Sequence, residues 1–247
     1  MQRKTQSSAA MHAKQTLYTV LFLAAALLFS CGKKPSKVEI MRQEKAAKDS
    51  TTLAHAQRTI AYSDSLLKVL LPQADSLLRD FRYEKAEDYE DHGRYVHHLL
   101  RTDRNTARNY LQAAVRDDRI TVLQSFFYGP KPIHQERVRI SAGDLYAEST
   151  GSNHIFEAEG VHEILSMQDD EAVRLLQFVA DRQDERLLVT AAGAQKATYY
   201  LQSNEKKALA ETYRLALVMR DIATLERAMH VAALQVQKYE KRQTKQQ

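Results

Sequence analysis

The sequence predicts an α+β fold: a long N-terminal helix, a small, mainly antiparallel β domain with one inserted helix, and a long C-terminal helix. Three observations carry this. Leu53, Ile60, Leu67, Ala74 and Phe81 recur every seven residues, with Ala56, Ser63, Leu70 and Leu77 as the second position of the repeat. After Gly93 the chain becomes a series of short segments rich in β-branched and aromatic residues, separated by turn residues. From Ser203 an apolar stripe at helical spacing runs to residue 243.

The chain opens on "MQRKTQSSAAMHAKQ", with Arg3, Lys4 and Lys14 and no acid, followed by a 13-residue run from Leu17 to Phe29. A basic start and a short apolar run predict a secretory signal over residues 1–30, since a spanning helix needs roughly 20 apolar residues. The run ends Leu28-Phe29-Ser30-Cys31, and Cys31 is the only cysteine of 247 residues. These four residues resemble the lipobox of bacterial lipoproteins. The resemblance implies removal of the signal, acylation of Cys31, and anchoring to membrane lipid. Gly32, in place of an acidic residue, implies the outer membrane, and the basic run "GKKPSK" favours its periplasmic side. More than one acyl chain gives stable anchoring at about 0.8 kcal/mol per buried methylene.

Losing Arg3, Lys4 and Lys14 takes the formal charge from +5 to +2, which gives no basis for nucleic-acid binding. Residues 31–50 predict a lipidated tether that becomes helical toward its end. Residues 51–92 predict an amphipathic helical segment with a kink at Pro72, then an acidic linker. Proline removes an amide donor and disfavours helix at the preceding residue. The stripe suits either packing on the chain's own domain or self-association through helices 51–82 and 203–243.

Residues 93–202 predict the β-rich domain. Its candidate strands are "RYVHHLL", "RNYLQAAVR", "RITVLQSFFYG", "ERVRIS", "DLYAEST", "NHIFEAEG", "VHEILSM", "RLLVTAAG" and "QKATYYLQ". Val138 and Ile140 alternate with Arg137 and Arg139, the mark of a half-exposed strand. Asp117-Asp118 predicts a hairpin turn. "DDEAVRLLQFVADRQ" predicts the inserted helix, capped by Asp169 or Asp170, with Val173, Leu176 and Ala180 inward. Residues 203–247 predict the last helix and a basic tail, with Leu209, Ala216, Met219, Ala223, Met229 and Val236 inward.

No nucleophile elbow, phosphate loop, dinucleotide fingerprint or H-E-x-x-H occurs. The residues therefore name no catalytic group and no cofactor. Glu87, Asp88, Glu90, Asp91, His92, His97 and His98 are of metal-ligand type. Adjacent His97 and His98 would face opposite sides of a strand, and the acidic run reads as a solvated linker, so no metal site is assigned. His154 and His162 would approach across a hairpin. Phe126, Phe127, Tyr128, Tyr199 and Tyr200 form an aromatic group, and adjacent aromatics on a strand point to both faces. Phe127 and Tyr128 beside Arg137 and Arg139 would form a stacking surface for a sugar or peptide; the alternative is that both sheet faces are covered, one of them by the long helices.

The expectation is a lipid-anchored envelope protein with a non-catalytic binding or scaffold role. The competing expectations are a periplasmic hydrolase or glycan-processing accessory, and a surface-exposed adhesin or nutrient-capture subunit.

Overall fold

The computed structural model describes residues 36–86, 92–100, 108–158 and 160–244, and the predicted signal, Cys31 and Gly32 lie outside them. The chain divides into two compact units, residues 1–52 and 53–247. In the first, the opening turns of helix α1 (Lys37–Leu78) are capped by a reciprocal box. The Ser36 amide donates to Glu39 Oε2 at 2.8 Å, and the Glu39 amide donates to Ser36 Oγ at 3.2 Å. Helix therefore begins at Lys37, within the segment predicted as tether, because Lys, Glu, Ala, Gln and Arg are all strong helix formers.

In the second unit α1 continues through Pro72 without a break. Pro72 lies on the solvent face, opposite buried Ala74. The helix ends at Leu78, and the expected helix to residue 82 is corrected: Phe81–Glu84 is strand β1. Tyr83 and Glu84, assigned to the acidic linker, thus belong to a sheet.

The remaining elements are β2 (Arg94–His97), β3 (Tyr110–Arg116), β4 (Thr121–Gly129), β5 (Arg137–Ala142), β6 (Leu145–Thr150), β7 (Ser152–Ala158), β8 (Gly160–Gln168), α2 (Asp170–Ala180), β9 (Leu188–Ala192), β10 (Lys196–Tyr200) and α3 (Ser203–Thr244). They form an antiparallel sheet of six strands, ordered β1-β2-β3-β4-β8-β7, and one of four, ordered β10-β9-β5-β6. Each of the nine segments read as strand has its main part in a different one of the strands β2 to β10.

Helix α2 sits against both sheets, touching β4 and β8 of the first and β5 and β6 of the second. Its buried face is Ala172, Leu175, Leu176, Phe178 and Val179. The predicted stripe through Val173 and Ala180 is therefore rotated, because the helix is covered by the C-terminal helix as well as by both sheets. Asp169 stands at the N-cap position with φ 46°, and its side chain makes no capping bond. Its amide instead donates to Thr121 O at 2.8 Å, tying the helix start to β4. Asp117–Ile120 make the β3–β4 turn, with Arg119 at φ 69°.

Helices α1 and α3 pack side by side. Leu77, Leu78 and Phe81 meet Leu215, Ala216 and Met219. Leu67 and Leu70 cluster with Ile222, Leu225 and Met229. Falling numbers on α1 match rising numbers on α3, so the pair is antiparallel. All the predicted seven-residue positions from Leu53 to Leu77 are buried or half-buried.

The two sheets are joined by residues 130–136, and a buried carboxylate holds that loop. Glu163, 1% exposed, accepts the amides of Ile133, His134 (3.1 Å) and Gln135 (2.8 Å). His134 at φ 51° turns the three N–H groups inward, the concave arrangement that binds an anion. Gly193 packs against the same loop: a Cβ there would lie 1.7 Å from His134 O.

Candidate ligand-binding sheet face

Among the described residues, the four-stranded sheet turns one face toward helix α2 and the six-stranded sheet and leaves the other open. Strand alternation sends Val138, Ile140, Val189 and Ala191 into the core. The alternate residues then line the open face in register. Tyr146, Ser141, Leu188 and Tyr200 are successive partners across β6, β5, β9 and β10. The next row is Glu148, Arg139, Thr190 and Thr198, and the third is Thr150, Arg137 and Lys196 with Ala192, which is buried, between the two basic residues.

Tyrosines close both ends of the first row, and each is stacked under a guanidinium. Arg139 lies 4.2 Å from the Tyr146 ring centroid, and Arg186 lies 3.8 Å from that of Tyr200. Such pairs are each worth about 0.5–1 kcal/mol at an exposed site and restrict the rings' rotation. Arg139 Nε also donates to Glu148 Oε2 at 2.8 Å, while Arg137 stands 3.9 Å from the same oxygen. One carboxylate thus serves two guanidiniums. Arg186 and Lys196 make no ion pair among the described residues. The face carries excess positive charge.

The expected stacking surface of Phe127, Tyr128, Arg137 and Arg139 is corrected. Phe127 and Tyr128 are on β4 of the six-stranded sheet, whereas Arg137 and Arg139 are on β5 of the other. Phe127, 8% exposed, is core: it packs with Ile133, Ala191 and Ala197 where the sheets meet. Tyr128 is half-buried and its ring lies 4.9 Å from His162. Phe126 stacks on Tyr110 at 4.5 Å and 4°. Arg139 does reach an open aromatic ring, that of Tyr146, and Arg137 lies two rows away on the same face. Tyr199 points the other way. Its hydroxyl is buried with no hydrogen-bond partner among the described residues, and burial, with Glu205 second, holds it well above the ordinary tyrosine value.

His154 and His162 share a face of β7–β8 but are not opposite one another: His154 pairs with Ile164 and His162 with Phe156. His97 is engaged elsewhere. Its Nδ1 accepts the Leu99 amide at 3.0 Å, so the proton sits on Nε2, which donates to Glu211 Oε2 at 2.5 Å. That bond ties β2 to α3. His98 is exposed in the following turn, and His92 lies 3.4 Å from Asp118. Glu87, Asp88, Glu90 and Asp91 lie outside the described residues. Among those described, no three metal-type ligands converge, and no helix is long and apolar enough to cross a membrane.

Sequence reasoning missed Tyr146, Glu148, Arg186, Thr190 and Lys196. Alternation in "DLYAEST" and "QKATYYLQ" was readable, but which strands are neighbours was not. No protein-family model, curated protein or solved structure matches the chain.

Proposed function

We propose that this chain is a lipid-anchored cell-envelope protein that acts by binding rather than catalysis, through the open face of its four-stranded sheet. The anchor reading is supported by the sequence Leu28-Phe29-Ser30-Cys31 after a short apolar run. It places the protein at the outer membrane, facing the periplasm. The binding reading is carried by one observation: Tyr146 and Tyr200 stand in one register row, each stacked under an arginine, on a face that no described element covers.

Preorganised aromatic and guanidinium groups favour recognition because less side-chain freedom is lost on binding. Metabolic labelling with a fatty-acid analogue tests the anchor. Wild type is expected to take up label and Cys31→Ser to take up none. Equal incorporation by both would remove it.

A further inference from the structure

We infer that the open sheet face binds an extended, carboxylate-bearing glycan strand. The inference rests on the binding reading above and names its ligand class.

Four features of the face select this class. Its first row ends in two tyrosines separated by three strand spacings, about 14 Å. That separation suits a chain molecule whose rings recur along its length. Ser141 supplies a hydroxyl between the tyrosines, and Thr190 and Thr198 supply two more in the next row, matching a ligand that is itself rich in hydroxyls. Arg137 and Lys196 border the hydroxyls from the third row, where they can meet carboxylates. Apart from the two rings, the only large apolar side chain in the three rows is half-buried Leu188.

The last point separates the glycan from other anionic partners. The buried core of a stable protein–protein interface is mostly apolar, whereas most side chains in these three rows carry a hydroxyl or a charge. Docking into a bilayer needs protruding apolar side chains as well as positive charge, and Leu188 does not protrude. A sugar ring, by contrast, needs only an aromatic face for its C–H groups and polar neighbours for its hydroxyls.

The test is titration calorimetry of the full-length protein in a nonionic detergent at about 0.15 M salt, where long-range charge effects are screened. The probe is an oligomer of galacturonic acid, compared with its methyl ester, polyglutamate of equal charge, and phosphatidylglycerol vesicles. The acidic oligomer is expected to bind most tightly. Tyr146→Ala and Tyr200→Ala should each weaken it about tenfold, near the upper range of one stacking contact. Arg137→Gln with Lys196→Gln should weaken the acid but not the ester. Lys238→Gln with Lys241→Gln, equal in charge loss but on α3, should leave affinity unchanged. All four residues altered in the sheet are exposed or half-exposed, so unchanged melting temperatures will confirm the fold.

Polyglutamate binding as tightly as the oligomer would overturn the inference, as would vesicle preference, an equal loss in the α3 variant, or no binding. The outcome is independent of the labelling result. A chain that binds the glycan without taking lipid loses only its anchor.

Discussion

Glu163 accepts the Gln135 amide at 2.8 Å across 28 residues of sequence, and both side chains are essentially sealed from solvent. A carboxylate in that position answers three consecutive backbone donors. Glu163→Gln keeps the shape but replaces one oxygen with a donor, leaving buried amides unmatched. A loss of about 3 kcal/mol is expected, since each unmatched buried donor costs about 1–3 kcal/mol. Urea unfolding checks it; a loss under about 1 kcal/mol would mean the loop is held by other contacts.

Gly193 is the second clamp on that loop. Alanine would place its Cβ 1.7 Å from a backbone oxygen, which no side-chain rotation can relieve. Gly193→Ala is expected to destabilise by more than about 2 kcal/mol, in the range of forced backbone shifts in packed regions. Because it acts on the same segment as Glu163→Gln, the two losses should fall short of additive when combined.

Tyr199 predicts a pH dependence of definite sign. The folded state raises its pKa, so folded and unfolded phenols are both neutral below pH ~10 and stability there is unaffected. Above that, the unfolded phenol ionises while the folded one stays neutral, and stability falls. Tyr199→Phe should flatten part of this alkaline loss. It should also stabilise the protein by about 1 kcal/mol at neutral pH by removing a buried hydroxyl that has no partner among the described residues. Urea midpoints of both proteins at pH 8 and pH ~11 give the comparison. A variant less stable at neutral pH would show that the hydroxyl has a partner.

Leu67 and Ile222 share the seam between the long helices. Leu67→Ala and Ile222→Ala should each cost about 2–4 kcal/mol. A double-mutant cycle should return a coupling of about 0.5–1 kcal/mol, as for residues in one cluster. Zero coupling would separate the helices. Spin labels at exposed Arg58 and Lys238 should also be closer than labels at Arg58 and Lys207.

The long-range parts of this fold were the least legible. Leu53 through Leu77 announce their helix because burial against one partner enforces a seven-residue period. Phe81 keeps the same phase yet begins a strand: it is buried for a different reason, against Val115 and Leu215. The start of α1 was readable in principle, since "SKVE" at Ser36–Glu39 is a capping-box sequence. Val138 and Ile140 announced which side of β5 faces inward. The row Tyr146-Ser141-Leu188-Tyr200 could not be read, because it needs β9 placed beside β5 across more than 40 residues. Glu163 was invisible for the same reason: its partners are a loop on the other sheet's approach.

The antiparallel seam has a mechanical consequence. Tension applied to α1 from its N-terminal side runs along the helix axis, parallel to α3. Displacement of α1 past α3 then loads Leu67, Leu70 and Ala74 against Val218, Ile222 and Leu225 together, in shear, before force reaches β1. Contacts loaded in parallel must rupture together, whereas contacts loaded in peel fail one at a time. The geometry therefore places the seam of α1 and α3 as a strain relief between a load applied along α1 and the sheets, and resistance to such a load is set by the rate of unfolding along this path.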